Sequence, residues 1–381
     1  GFLPEDALRQ FQNDYALRPD GVAGDQVYQA LLSPRPVPPR RRVHRLTRGC
    51  SAAAAARELG VSVSYLSRVN RLRGDRLQAG QTLVVHPRWA LLEVDPESAG
   101  MLAQRTLDRH GTRLTGIIAP WKEGVGWPAG AVGWLPWPFA WNRWPAGGSW
   151  RRRTRPDQEV AAAIDEAAAN KAVRGFFLPR RVSWGQGQAW AQATVSLSEY
   201  LYKRDLTLMV GLPQLNLSTP WNRAFNDLHL ARWVPWVQVV MLPAPAPGPG
   251  TTFGHWLTQV RSLRDHLPLW KLVVGIDWRA VETDERGRRQ RRLTHQQALA
   301  LCFSQRTRPA WDQEAQCLSF RYQSGDGERR VYLWSARTLE LWLERIQLYG
   351  FGGVCLGPAG AEDPRLWDGF YRQFCSLPHV C

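Results

Sequence analysis

From residue 89 to the C-terminus, short apolar runs alternate with longer segments in which apolar residues recur every three or four positions. The short runs predict buried strands, and the longer segments predict amphipathic helices. The predicted strands are 90–94, 114–119, 132–139, 173–178, 206–212, 237–242, 272–276 and 352–356. The predicted helices include 97–110, 157–170, 188–203, 256–267 and 336–349. Eight such units predict an α/β fold of the (β/α)8 TIM-barrel type, with an insertion at about 277–334.

The first 88 residues have a different pattern and predict two small modules. Residues 1–33 predict short amphipathic helices around a turn at 19–24, and a Pro- and Arg-rich linker follows at 34–41. Residues 42–88 predict a strand, two helices and a strand, at 43–46, 52–59, 64–69 and 81–85. The predicted barrel therefore occupies residues 89–381.

Composition narrows the possible classes of protein. Hydrophobic residues make up 44% of the 381 residues, which is enough for a sizeable core, and no apolar run is long enough for a membrane span. The formal net charge is +16, which predicts either a solvated basic surface or attraction to an anionic polymer. No nucleic-acid motif accompanies the charge, so no nucleic-acid partner is predicted.

Cysteine spacing also limits the chemistry. The six cysteines contain no C-x-x-C pair, so no zinc site and no cofactor are predicted. Cys302 with Cys317, or Cys375 with Cys381, are close enough along the chain to form disulfides, and free thiols are the alternative. The chain opens on Gly1 without a signal peptide, which suits a processed secreted protein and equally an arbitrary boundary.

Residues 7–24 resemble the peptidoglycan-binding domain 1 repeat, whose pattern is V-x-x-F-Q-x-x-x-G-L-x-x-D-G-x-x-G-x-x-T. Phe11, Gln12 and the Asp20-Gly21 pair fall on its typical positions, while Tyr15-Ala16-Leu17 replaces the usual Gly-Leu. The resemblance implies a small helical module that binds peptidoglycan.

Residues 61–87 resemble a LysM domain, in which two loops bind N-acetylglucosamine chains. The resemblance rests on the segments 60–70 and 77–83, in which Asn70 and Gly80-Gln81 match closely. By this resemblance the glycan-binding loops are about 48–52 and 71–78, and the first departs from the usual Gly-Asp-Thr. The implied binding residues are Gly49, Cys50, Ser51, Asn70, Arg71, Leu72, Arg73 and Gly74.

The barrel segment resembles family-18 glycoside hydrolases, most closely the spore cortex-lytic members that carry LysM repeats. In this family the fourth strand ends D-G-x-x-x-D-x-E and supplies the catalytic acid. Here Pro179 and Arg181 stand at the positions of the closing Asp and Glu, and neither can transfer a proton to a glycosidic oxygen. The family's sixth strand ends M-x-Y-D, and Pro243 and Ala244 replace that Tyr and Asp.

These losses predict a barrel without the family's chemistry. An independent catalytic centre would have to come from other carboxylates on the rim, with Glu123, Asp277, Glu282 and Asp284 as the candidates. The 20 Trp residues predict either core packing, sugar-stacking platforms or a protein–protein surface. The residues predicted to lie at the barrel mouth are Trp121, Trp141, Arg181, Trp184, Asp277 and Trp278.

Taken together, the sequence predicts a non-catalytic, secreted protein of the cell wall or spore envelope. Its partner is predicted to be peptidoglycan or another N-acetylglucosamine polymer, with the barrel as scaffold or lectin-like surface. One alternative is an active peptidoglycan N-acetylglucosaminidase of the cortex-lytic kind with an atypical site. The other is a structural subunit of an extracellular or spore-coat assembly, in which the barrel packs on itself or on another envelope protein.

Overall fold

The three-dimensional structure is a computed structural model of the whole chain. The residues that it describes are 8, 11–12, 20–25, 27–28, 42–59, 63–85, 89–94, 100–111, 114–119, 133–136, 158–178, 187–212, 236–241, 272–286, 289–325, 327–349 and 351–373. The predicted helix at 256–267 lies outside these residues, as do Cys375 and Cys381. No helix in the described ranges is long and apolar enough to cross a membrane.

Strands and helices alternate along most of the described chain. The strands are β1 Arg42–Arg45, β2 Cys50–Ser51, β3 Arg76–Leu77, β4 Thr82–Val85, β5 Trp89–Glu93, β6 Gly116–Ile118, β7 Gly133–Pro136, β8 Val173–Leu178, β9 Thr207–Leu212, β10 Trp236–Met241, β11 Leu272–Asp277, β12 Ala280–Asp284, β13 Arg289–Leu293, β14 Ala310–Asp312, β15 Cys317–Ser324, β16 Gly327–Leu333 and β17 Gly353–Gly357. The helices are α1 Ala52–Glu58, α2 Val63–Asn70, α3 Met101–His110, α4 Gln158–Ala169, α5 Gly187–Tyr202, α6 His295–Ser304, α7 Ala336–Tyr349 and α8 Leu366–Gln373.

Eight of these strands form a parallel sheet. Its hydrogen-bonded order is β10-β11-β17-β5-β6-β7-β8-β9, which closes on itself as a barrel. All eight barrel strands predicted from the sequence are present, within three residues at each end, so the predicted α/β class is confirmed and the sheet is consistent with a TIM-like barrel. Contacts divide the chain into two compact units, 1–40 with 132–239 and 259–272, and 41–131 with 240–258 and 273–381.

Within the second unit, β11, β17, β5 and β6 pair side by side. Their sequences are almost continuous apolar runs, and every residue of β11 and of β17 is buried. A parallel strand covered on both faces needs such a run, because no side chain faces water. These strands therefore give the unit a rigid base, and their carboxyl ends are well placed to hold functional groups.

The segment at 42–85 folds as strand, two helices and strand. β1 pairs antiparallel with β4, and the helices α1 and α2 cover the pair with a core that includes Leu46, Leu66 and Leu83. The sequence did not predict β2 and β3, which form a second two-stranded sheet. The order of elements is the predicted one, while the identification of this segment as a LysM domain stays a prediction.

The N-terminal segment is described at only a few positions, and these explain its sequence pattern. Gln12 is buried and donates to Oδ1 of Asp20 at 2.8 Å and to the carbonyl of Val22 at 2.9 Å, while its own Oε1 accepts from the N–H of Gly21 at 2.8 Å. One amide side chain therefore holds the Asp-Gly turn. This accounts for the spacing of Gln12 and Asp20-Gly21 without reference to a ligand.

The chain between β11 and α7 forms a separate five-stranded antiparallel sheet in the order β13-β12-β16-β15-β14. Its apolar core lies between this sheet and α6 and includes Ala280, Leu293, Phe320 and Val331. α6 begins with a capping box, in which the Thr294 hydroxyl accepts from the N–H of Gln297 at 3.2 Å and the Gln297 side chain accepts from the N–H of Thr294 at 2.9 Å. We refer to residues 280–333 as the insertion sheet.

Candidate functional site

The carboxyl end of β11 carries a buried carboxylate that binds two arginines. Asp277 is the last residue of the strand, and its side chain is 9% exposed. Arg279 donates through Nε to Oδ1 at 2.9 Å, through Nη2 to Oδ2 at 2.8 Å and through its backbone N–H to Oδ1 at 3.2 Å. Arg292, from the insertion sheet, donates through Nη1 to Oδ2 at 2.7 Å. The four donors fill the four lone-pair positions of the carboxylate.

Two tryptophans fix the backbone beside Asp277. The indole N–H of Trp334 donates to the Asp277 carbonyl at 3.0 Å, and that of Trp278 donates to the Pro358 carbonyl at 2.7 Å. Trp278 is 2% exposed and meets Trp367 of α8 edge-on at 5.4 Å. The structure therefore places Trp278 in the core, where it cannot stack on a sugar, in contrast to its predicted position at the barrel mouth.

The strand register brings a second carboxylate to the same edge. Asp277 pairs with Gly357 of β17, and Leu356 pairs with Leu92 of β5, so Gly357 lies level with Glu93. A Cβ on Gly357 would come within 2.8 Å of the Glu93 Cβ, so only glycine leaves room for the Glu93 side chain there. Side chains at paired positions of a parallel sheet share a face, and Trp278 leaves by the other one. Glu93 and Asp277 therefore flank Gly357 on one face, with their backbones about 10 Å apart across two strand spacings.

The contacts distinguish the carboxylates that could transfer a proton from those that serve structure. Asp277 has no lone pair left, because it is fully occupied by Arg279 and Arg292. Glu282 is buried in the insertion sheet, where Arg291 donates to it through Nε at 2.8 Å. Asp284 lies at the far end of β12, opposite Arg329, and Glu123 lies outside the described residues.

Glu93 is a half-buried carboxylate at the carboxyl end of the barrel strand β5. It was missed in the sequence, although it is the next-to-last residue of the first predicted strand and the last residue of β5. The position of Glu93 near the carboxyl end of a predicted barrel strand could have identified it, because reacting groups of barrel enzymes lie at these strand ends.

A further charged group supports the loop that follows β17. Arg365 donates to both oxygens of Asp363, at 3.0 Å and 2.8 Å, and Nε2 of His295 lies 3.7 Å from Asp363 Oδ2. Burial alone would raise the pKa of Asp363, but the hydrogen bonds from Arg365 and the charge of His295 lower it below its ordinary value. Burial lowers the pKa of His295, although the charge of Asp363 opposes the shift. This group fixes the loop and the start of α6, because the N–H of His295 donates to the Ala361 carbonyl at 2.8 Å.

A buried glutamate ties the same loop to two helices. Glu362 Oε1 accepts from the Thr106 hydroxyl of α3 at 2.7 Å and from the Trp367 indole of α8 at 3.3 Å. Oε2 is buried and has no hydrogen-bond partner among the described residues. The side chain lies between helices, so we assign it to the support of the loop.

The structure brings together the two loops predicted to bind glycan. Cys50 pairs with Leu77 and Ser51 pairs with Arg76, so residues 49–51 lie against the end of the second loop. The Ser51 hydroxyl accepts from the N–H of Ala54 at 3.1 Å and caps α1. Asn70 donates to the Leu66 carbonyl at 3.0 Å, and Arg71 adopts a left-handed backbone with φ of 51° that turns the chain out of α2. Gly49, Arg73 and Gly74 are exposed, and Leu72 is partly buried.

Several predicted positions lie outside the described residues. These are Pro179, Arg181, Pro243 and Ala244 at the strand ends, and Trp121, Trp141 and Trp184 at the mouth. Trp134 is described, is buried, and donates to the Thr207 hydroxyl at 3.0 Å, so it is a core residue. Cys302 and Cys317 are both buried free thiols, so the disulfide considered between them is not formed.

Comparison with solved structures identifies proteins of the same fold. The spore cortex-lytic enzyme SleL of Bacillus megaterium QM B1551 matches with a TM-score of 0.58 and 14% identity, over 89% of this chain and 87% of that one. SleL of Bacillus cereus matches with a TM-score of 0.55 and 15% identity, over 98% and 97%. A chitinase from Chromobacterium violaceum ATCC 12472 matches with a TM-score of 0.57 and 19% identity, over 76% and 99%. No family model and no curated protein matches the sequence.

These matches support the family-18-like fold and contradict the prediction that the barrel is not an enzyme. The solved structures named above are cortex-lytic enzymes and a chitinase, so the comparisons point toward an enzyme. The prediction rested on the loss of the family's catalytic residues at the ends of its fourth and sixth barrel strands. A loss there does not remove every carboxylate from the rim, and Glu93 is at the carboxyl end of β5.

Proposed function

We propose that this protein is a glycoside hydrolase that acts on an N-acetylglucosamine-containing glycan such as peptidoglycan, with an atypical catalytic site. The observation that carries the proposal is the position of Glu93, a half-buried carboxylate at the carboxyl end of β5, on the same face as Asp277. Glu93 is the candidate general acid, which donates a proton to the glycosidic oxygen as the bond breaks.

A single protein carboxylic acid is enough for this chemistry on an N-acetylated sugar. In substrate-assisted hydrolysis the acetamido oxygen of the substrate attacks the anomeric carbon while the leaving oxygen takes the proton of Glu93, so the protein need not supply a nucleophile. Water then opens the cyclic intermediate and gives a proton back to the Glu93 carboxylate. Asp277, bound by its two arginines, then serves as a fixed part of the surface that lines the proposed site. This division of roles does not require Pro179 or Arg181 to transfer a proton.

The small modules fit the same substrate class. The two loops of residues 48–52 and 71–78 meet through β2 and β3, and they form one continuous edge to which a glycan chain could bind. We propose that this edge and the N-terminal module hold the enzyme on its insoluble substrate, in a spore or another cell envelope. The cortex-lytic neighbours of the same fold favour that location.

The test is an assay of reducing ends released from peptidoglycan fragments and from N-acetylglucosamine oligosaccharides. Loss of a general acid lowers kcat by about 10²–10⁴-fold, so Glu93→Gln is expected to fall by that factor. The matched control is Glu344→Gln on the exposed face of α7, which is expected to keep wild-type turnover. Undiminished turnover in Glu93→Gln would refute the proposal, and so would the absence of turnover in the wild type. Circular dichroism of each variant checks that the barrel is folded.

A further inference from the structure

Two neighbouring arginines of the insertion sheet have different partners. Glu282 lies opposite Arg291 across β12 and β13, and Val281 lies opposite Arg292. Directly opposite residues share a face of the sheet, and successive residues alternate, so Arg291 and Arg292 leave by opposite faces. Arg291 remains on the core face and binds Glu282. Arg292 reaches the barrel and binds Asp277.

Asp277 binds both Arg279 and Arg292, and its single negative charge neutralises only one of these two cations. One carboxylate faces two guanidinium groups, so the three side chains of Asp277, Arg279 and Arg292 together carry one net positive charge. Among the described residues, Arg292 uses only Nη1 in a hydrogen bond, and 36% of its side chain is exposed. The other edge of its guanidinium group can therefore accept a ligand from solvent.

The arrangement suits a carboxylate ligand. A guanidinium group presents parallel N–H donors that match the two oxygens of a carboxylate, and such charge-assisted bonds are stronger than neutral ones. The strand register and the bond to Asp277 restrict the rotamers of Arg292, so little side-chain freedom is left to lose on binding. Its position beside the end of β11 places it within the same rim as Glu93.

We propose that Arg292, positioned by Asp277, binds a carboxylate substituent of the glycan and selects acidic over neutral N-acetylglucosamine polymers. This inference deepens the proposed function and rests on it for the identity of the ligand. The insertion sheet then forms a specificity wall beside the end of β11, because it brings Arg292 to that point.

The test compares two oligosaccharides of equal length, by calorimetry with the full chain at 4 °C to suppress turnover. One contains N-acetylglucosamine alone, and in the other alternate sugars carry a lactyl carboxylate. The wild type is expected to bind the carboxylated chain at least about tenfold more tightly, which corresponds to about 1.4 kcal/mol. Arg292→Gln is expected to lose this preference and to keep its affinity for the neutral chain.

The matched control is Arg321→Gln, which removes an equal charge from an exposed position of β15 in the same sheet and is expected to keep the preference. Equal binding of both chains by the wild type would overturn the proposal, as would an undiminished preference in Arg292→Gln. The binding readout does not depend on hydrolysis. A preference without turnover would refute only the enzymatic function, and turnover without a preference would refute only the carboxylate site.

Discussion

Replacing Asp277 by Asn tests whether this carboxylate holds the insertion sheet to the barrel. The variant keeps the shape of the side chain but leaves two guanidinium groups facing each other without an anion. Hydrogen bonds to a charged group contribute about 1.5–3 kcal/mol each, and breaking a buried pair costs about 3–5 kcal/mol. Because 25% of Arg279 and 36% of Arg292 is exposed, water replaces part of this contribution. We therefore expect the free energy of unfolding to fall by about 2–4 kcal/mol.

The measurement is urea-induced unfolding followed by tryptophan fluorescence, with the stability change taken from the midpoint and slope of the first transition. The control is Glu328→Gln, whose carboxylate accepts from Arg321 at 3.2 Å on the exposed part of the sheet, with side chains 38% and 57% exposed. Exposed pairs contribute at most about 1 kcal/mol, so this variant should unfold close to the wild type. If Asp277→Asn were no less stable than Glu328→Gln, Asp277 would not anchor Arg292, and the proposed specificity wall would lose its support.

Two further predictions concern the barrel and the loop that follows β17. Gly353→Ala is expected to lower the urea midpoint of unfolding strongly, because the new Cβ would lie 2.2 Å from the carbonyl oxygen of Trp89. The control Gly325→Ala places its Cβ in open space and should leave the midpoint unchanged. Equal midpoints for the two variants would contradict the register of β17 and β5. Burial lowers the pKa of His295 from 6.5, so its neutral form contributes stability above pH 6.5 that is lost as the pH falls through the folded-state pKa. The wild type should therefore lose more free energy of unfolding between pH 7 and pH 5 than His295→Gln. Parallel plots of the free energy of unfolding against pH for the two proteins would refute this.

The barrel was predictable because its strands carry a strong local signal. Residues 173–178 and 336–349 were predicted with the bounds that the structure shows, the first as a compact apolar run and the second as an amphipathic helix. Burial on both faces demands such runs, so the signal survives without knowledge of the partners. The strand at 114–119 was predicted too long, since only Gly116–Ile118 pairs in the sheet.

The insertion sheet and the site were harder to predict because their residues act through distant partners. β13 reads Arg-Gln-Arg-Arg-Leu and lacks the alternation typical of a strand. Two of its arginines have separate partners, because Arg291 binds Glu282 within the sheet and Arg292 binds Asp277 of the barrel. Asp277 was a candidate in the sequence, but its occupation by an arginine 15 residues later was not visible. Glu93 resembles any solvated glutamate until the register sets it beside Gly357.

The insertion sheet begins and ends at one place. The chain leaves the barrel after Asp277 on β12 and returns on β16 before α7, and these two strands are paired neighbours, with Val281 opposite Tyr332. A segment whose entrance and exit lie side by side can be lengthened, shortened or exchanged in a single genetic event without altering the barrel. A barrel of this kind can therefore change the side chains beside the end of β11 by exchanging this one segment, while its eight strands stay unchanged.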